Sequence, residues 1–194
     1  MTELIFATGN KGKIAEVQKI FANTPYKILS LYDLGEVPEI EETGVTFEEN
    51  AFIKAEAIYN IYQKPVIADD SGLSVKQLNG EPGVFSARYA GENCTYEENN
   101  RKLIDELQNH NKPHEAKFIC CAVFYNGDNR ITSIGELHGE IISEFKGTNG
   151  FGYDPIFLPI GYSNTLAELS SEEKNSISHR AQAFNKLRKL LEQV

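Results

Sequence analysis

The chain has 194 residues, with 41% hydrophobic and 24% charged residues and a formal net charge of −9. This is the composition of an ordinary globular protein long enough to bury a substantial core, and it excludes a fibre, a disordered tail and a broad nucleic-acid surface, which needs Lys and Arg in excess. The start MTELIFATGN is unlike a secretory signal, no segment approaches the roughly 18 apolar residues of a membrane span, and Cys94, Cys120 and Cys121 form no CxxC pair, so a soluble protein with buried thiols in the reduced cytoplasm is expected.

In chain order, residues 3–8 (ELIFAT) read as a buried strand, residues 9–12 as a glycine loop, and residues 13–22 as a helix with Ile14, Val17, Ile20 and Phe21 on one face. Thr46 and Glu49 have capping-box spacing and open a helix running to about residue 62, and Thr95 with Glu98 repeats the device before a helix ending near residue 110. The run PVIA at 65–68 is a strand ending at Asp69 and Asp70, and Asn79-Gly80 marks a turn. Residues 117–125 and about 130–144 read as antiparallel neighbours joined at 126–129. After Ser178, Ala181, Phe184, Leu187 and Leu191 recur at helical spacing. Strands that come both in alternation with helices and in hairpins predict one α/β domain over residues 1–194, built on a mixed sheet.

Five segments carry candidate chemistry. Thr8-Gly9-Asn10-Lys11-Gly12-Lys13 lies where a strand hands over to a helix, so free N–H groups, the helix dipole and two lysines suit a phosphate. It is not a Walker A loop, and a solvated glycine turn with two surface lysines would read the same way. Asp69 and Asp70, as strand neighbours, point to opposite faces. One is expected to face a cleft, where a carboxylate suits Mg²⁺, and the other to brace a loop, although an Asp-Ser-Gly turn has the same sequence. Asn50 and Lys54 share a helical face behind the acidic run that begins at Glu41 and Glu42. In the late segments, Phe151 between Gly150 and Gly152, with Tyr153 and Asp154 following, suits a planar base, and Lys174, His179 and Arg180 suit a phosphate or carbonyl. Core or turn packing is the competing reading of both.

Together TGNKGK, EETGVTFEENA, IADDSGL, GEPGVFSARYAG, GFGYDPIF and SHRAQA, in this order over nearly the whole chain, closely resemble the Ham1-like inosine/xanthosine triphosphate pyrophosphatase family. The resemblance implies an elongated, two-lobed α/β protein with a long central mixed sheet flanked by helices, as in the ITPase and Maf-like folds. It implies a cytoplasmic homodimer, and Mg²⁺-dependent hydrolysis of ITP, dITP, XTP or dXTP to monophosphate and pyrophosphate. It assigns Thr8, Gly9, Asn10, Lys11, Gly12 and Lys13 to the phosphates, Glu41 and Asp70 to the metal, and Asp70 also to the proton-acceptor role. Ser71, Phe151, Gly152, Tyr153, Asp154, Lys174, His179 and Arg180 are assigned to the nucleotide, with Arg180 the donor that reads the purine 6-carbonyl. Choosing Glu41 over Glu42 rests on alignment alone. A Maf-like pyrophosphatase of pyrimidine or modified nucleotides is the rival enzyme, against which the GFGYD and SHR segments speak. A nucleotide-binding regulator without catalysis is the rival of another class, against which Asp70, Glu41 and Lys13 speak.

Overall fold

Leu4 and Phe6 alternate with Ile5 and Ala7 along the first strand, and all four are buried, so this strand requires cover on both faces. The computed structural model, which describes residues 1–35 and 38–193, supplies it. Its elements are β1 (Thr2–Phe6), α1 (Lys11–Ile20), β2 (Tyr26–Ser30), α2 (Phe47–Tyr62), β3 (Val66–Val75), α3 (Tyr96–Leu107), β4 (His114–Tyr125), β5 (Arg130–Ile141), β6 (Phe157–Pro159), α4 (Ser171–Ile177) and α5 (His179–Leu191). The strands form one mixed sheet in the order β2-β1-β3-β4-β5-β6. β1 runs parallel to both β2 and β3, and β5 is antiparallel to β6. This is the expected α/β class. None of the helices among the described residues is long and apolar enough to cross a membrane.

The chain divides into two compact units, one comprising residues 1–70, 120–135 and 179–194 and the other residues 71–119 and 136–178. In the first unit the period of two sorts the strand residues between two cores. Leu4, Phe6, Ile67, Cys120, Ala122 and Phe124 pack with Ile14, Val17 and Phe21 of the α1 segment and with Ala183, Phe184 and Leu187 of α5. Ile5, Ala7, Val66, Ala68, Cys121 and Val123 pack with Ala51, Ala55 and Ile58 of α2. Helices therefore cover both faces of these strands, as the uninterrupted apolar runs demand. In the second unit Leu73, Val75, Ala116, Phe118 and Ile141 pack with Leu103 and Leu107 of α3 and with Tyr153, Ile156 and Phe157.

Capping residues set the helix starts. Thr46 and Thr95 each close a capping box with the Glu three residues on, as the sequence predicts. Helix α1 begins at Lys11, two residues earlier than expected, because the Asn10 side chain accepts a bond from the Lys13 N–H at 3.1 Å and draws residues 11 and 12 into the first turn. The strand expected to end at Asp69 and Asp70 continues past them to Val75. Cations lie opposite both carboxylates, so the backbone stays in the ladder where acidic residues would otherwise leave it.

Two outcomes check this packing. Gly135 in β5 has no room for a side chain: a Cβ there would lie 2.1 Å from the His179 carbonyl oxygen and 2.5 Å from the Ala183 nitrogen, both backbone atoms of α5. Gly135→Ala is expected to lower stability by about 3 kcal/mol, read as a lower denaturant midpoint; an unchanged midpoint would place α5 elsewhere. The Cys120 and Cys121 thiols are buried, and burial pushes Cys121 up to about 12 and Cys120 well above its usual value, so both stay protonated at neutral pH. A thiol reagent at pH 8 should therefore label only Cys94 in the folded protein and all three after unfolding; labelling of more than one thiol in the native state would contradict the core assignment.

Candidate active site

The corner between β1 and α1 is built by short-range hydrogen bonds. The Asn10 N–H donates to the Thr8 hydroxyl at 3.2 Å, the Asn10 side chain caps the helix, and the Tyr32 hydroxyl donates to the Gly9 carbonyl at 2.8 Å. With no acidic residue in the first turn of α1, its free N–H groups carry an uncompensated positive end. Lys11 is exposed, with its ammonium 5.5 Å from the Tyr32 ring centre, whereas Lys13 is drawn inward.

What draws it inward is Asp69, which is fully buried. Its Oδ2 lies 3.1 Å from Lys13 Nζ and 3.2 Å from Arg180 Nε, and Arg180 Nη1 lies 2.6 Å from Glu16 Oε2. Burial alone would raise the Asp69 pKa, but Lys13, Arg180 and Lys54 outweigh it and hold the carboxyl well below the usual carboxylate range. Arg180, the residue expected to read the base, is 2% exposed, with two of its nitrogens on these protein carboxylates.

The next residue faces the other way, as strand geometry requires. Asp70 accepts from Asn50 Nδ2 at 3.2 Å and lies 3.7 Å from Lys54 Nζ, which lies 2.8 Å from Glu42 Oε1. Asn50 and Lys54 are buried on the inward face of α2, and the Asn50 carbonyl holds the preceding loop through the Gly44 N–H at 2.8 Å. A side chain at Gly44 would stand 2.7 Å from that same oxygen. Burial raises the Asp70 pKa; Lys54 and Lys13 oppose it, while Glu42 adds to it. Burial would lower the Lys54 pKa, but Asp70, Glu42 and Asp69 reverse this and raise it. Of the two candidate glutamates, Glu42 is thus the one brought to Lys54 and Asp70, and Glu41 is exposed.

Oxygen donors of this kind suit a hard divalent cation. Among the described residues no three His, Cys, Asp or Glu side chains gather to hold a metal; Asp70 with one carboxylate of the Glu41-Glu42 pair would suit an ion that takes its other ligands from water and a bound phosphate chain, as Mg²⁺ commonly does. Lys13, Lys54 and Arg180 stand against Asp69, Asp70, Glu16 and Glu42. Counted as ionised, these seven side chains are negative by one charge.

The second unit holds the other predicted set. Asp154 Oδ2 accepts from the Phe151 N–H at 2.8 Å and from Lys174 Nζ at 2.7 Å, and the Lys174 ammonium lies 4.6 Å from the Phe151 ring centre. Gly150, at φ +77°, leaves room for this carboxylate, since a Cβ there would stand 2.0 Å from Asp154 Oδ2. Asn100 donates to the Gly152 carbonyl at 3.1 Å and fixes the loop on α3. Tyr153 turns into the core, its hydroxyl donating to the Ser86 carbonyl at 2.9 Å. Ser71 is half-buried in β3, and His179 is buried as the first residue of α5.

Sequence reading singled out Lys54 and Asn50 by their shared face but missed the part played by Glu16. The available signal was its position three residues after Lys13 on α1, which puts both side chains on one side of the helix.

A mixed-sheet α/β fold with a helix-start anion corner beside buried lysines and carboxylates defines a protein built to bind and act on a polyanion. The Ham1 family model matches residues 4–190, and the chain belongs to the Ham1 family. It is 52% identical to the dITP/XTP pyrophosphatase of Bacillus licheniformis, over 100% of both chains, and 50% identical to that of Bacillus subtilis, over 99% of this chain and 98% of the relative. Among solved structures it is similar to a HAM1 protein from Coxiella burnetii (41% identity, TM-score 0.91, 100% of both chains) and to the Staphylococcus aureus Ham1 protein (44% identity, TM-score 0.88, 99% of both).

The placement of Asp70 sets a prediction. Its folded pKa is raised, so the ionised carboxylate increasingly opposes folding as the pH rises from its unfolded value through the folded one. Asp70→Asn should therefore leave Tm unchanged or higher at pH 7 in the presence of EDTA, while kcat falls by about 10³-fold or more. A variant with a lower Tm and normal turnover would contradict both halves of the assignment.

Proposed function

We propose that this protein is a Mg²⁺-dependent nucleoside-triphosphate pyrophosphohydrolase that converts ITP, dITP, XTP and dXTP to the monophosphate and pyrophosphate, clearing them from the nucleotide pool. The observation that carries this reading is the pairing of Lys13 with Asp69 and of Lys54 with Asp70 at consecutive positions of β3, in a chain whose full-length relatives bear the name dITP/XTP pyrophosphatase.

In this scheme the corner at residues 8–13 holds the phosphates through backbone N–H groups and the Lys13 ammonium. Lys54 serves charge that develops on the bridging and leaving oxygens, and removing one such donor is typically worth about 10²–10³ in turnover. Asp70 takes the proton of a water attacking the α-phosphorus, for which a carboxylate whose pKa burial has raised is a stronger base than an exposed one. Asp70 and a carboxylate of the Glu41-Glu42 pair would hold the divalent cation, which would supply neutralisation of the triphosphate charge and a lower pKa for the attacking water. Phe151, Gly152 and Asp154, together with Ser71 and His179, serve the nucleoside, with the Phe151 ring as a stacking surface. The protein works as a homodimer in the cytoplasm, where the nucleotide pool lies.

Incubation with Mg²⁺ and a panel of ITP, XTP, dITP, GTP, ATP and dUTP tests the reading. ITP and XTP should be hydrolysed well ahead of ATP, and ITP should give IMP and pyrophosphate. IDP with orthophosphate as the main products, or preference for dUTP, would refute it.

A further inference from the structure

The segment GEPGVFSARYAG is given no task by the proposed reaction. In the second unit it lies along β3. The Val75 N–H donates to the Glu81 carbonyl at 3.0 Å, Ser74 and Pro82 form an isolated antiparallel bridge, and the Leu73 N–H donates to the Ser86 hydroxyl at 2.9 Å. Ser86 belongs to a 3₁₀ turn over Gly83–Arg88 and is buried. Its hydroxyl donates in turn to the Gly83 carbonyl at 2.6 Å, and its own carbonyl accepts from the Tyr153 hydroxyl at 2.9 Å. The Asn99 side chain of α3 closes the other side of the turn, accepting from the Ala90 N–H at 2.7 Å and donating to the Ala87 carbonyl at 3.2 Å.

We propose that Ser86 is a positioning residue for the nucleoside: its hydroxyl is seated on β3, its carbonyl holds Tyr153, and through Tyr153 it sets where the loop at residues 150–154 presents the Phe151 ring. The inference rests on the proposed nucleotide chemistry, in which Phe151 is the stacking surface. Phe151 stands between two glycines of positive φ, Gly150 at +77° and Gly152 at +64°, so its own backbone does little to hold the ring. The loop needs anchors on both sides. Before the ring, Asp154 accepts from the Phe151 N–H at 2.8 Å; after it, Asn100 takes the Gly152 carbonyl at 3.1 Å and Ser86 takes the Tyr153 hydroxyl. Of these anchors only Ser86 is also bonded to β3, whose residue Ser71, two positions before Leu73, is the other nucleoside contact proposed on this unit. A hydroxyl with both its donor and its acceptor engaged, on a buried turn, cannot rotate away from either partner without leaving a polar group unpaired. Ser86 thus ties the strand of Ser71 to the loop of Phe151. Loosening it should weaken the hold on a base while leaving phosphate binding alone, whereas a general loss of packing would weaken both together.

The test cuts this tie at either end, with Ser86→Ala and Tyr153→Phe, and compares a ligand that carries a base with one that does not. Each variant is expected to raise KM for ITP and the calorimetric Kd for IMP by about fivefold, with kcat for ITP and Kd for inorganic tripolyphosphate held within about twofold. Because both substitutions break one linkage, the double variant should lose no more than about twofold beyond the weaker single. Unchanged IMP affinity in the folded variants, an equal loss for tripolyphosphate, or losses that multiply in the double would overturn the proposal. If Ser86→Ala does not fold, Tyr153→Phe decides, since it removes a hydroxyl and keeps the ring. Amide hydrogen exchange at residues 151–154 of the ligand-free protein separates this proposal from the functional reading. It should quicken by about fivefold in both variants, and unchanged rates would overturn the positioning role whatever the protein hydrolyses. If the wild type hydrolyses no triphosphate and binds no IMP, the functional reading fails on its own and the exchange rates decide alone.

Discussion

A carboxylate at Asp69, with no exposure to water, is the constraint around which the first unit is arranged. Taking an ion of this kind out of water costs several kcal/mol even after relaxation, and a chain that buries one must bring cations to it. Here they come from two directions, Lys13 from the start of α1 and Arg180 from the start of α5. The starts of both helices therefore lie beside β3, and the apolar cores that cover the sheet must be compatible with that placement. The charge cluster adds little net stability over an apolar replacement.

The neighbouring residue shows how one strand serves two ends. Because successive side chains alternate, Asp70 points away from that cluster, into the company of Asn50, Lys54 and Glu42. The two carboxylates experience opposite balances. Asp69 is surrounded by enough positive charge to overcome its burial, whereas Asp70 is not, so one is held firmly ionised and the other is held closer to accepting a proton. Adjacent residues of identical chemistry thus acquire opposite electrostatic settings.

The second unit solves its own burial problem independently. Asp154 and Lys174 are both nearly inaccessible and satisfy one another, and the carboxylate also receives the Phe151 N–H. That pair fixes the loop at residues 150–154 with the Phe151 ring against an ammonium, an arrangement that stiffens the aromatic surface and explains why glycine is needed at 150. Tyr153 lies within the same segment, with its ring in the core and its hydroxyl donating to the Ser86 carbonyl.

Local chemistry made much of this legible in advance. The capping boxes at Thr46 and Thr95, the strand–loop–helix corner, the alternation of Asp69 and Asp70, and the shared face of Asn50 and Lys54 all follow from rules that reach no further than a helical turn or a strand step. The ordered motifs carried the family. Only the tertiary structure decided the remainder, because charge partners are chosen by proximity and not by spacing along the chain. Nothing local says that Arg180 meets Asp69, 111 residues away, and not a solvent-facing anion, or that of two adjacent glutamates it is Glu42 that reaches Lys54. Strand β3 ran on past its two aspartates for the same reason: the cations that let acidic residues remain in a buried ladder come from α1, α2 and α5, elements that the strand's own sequence cannot see.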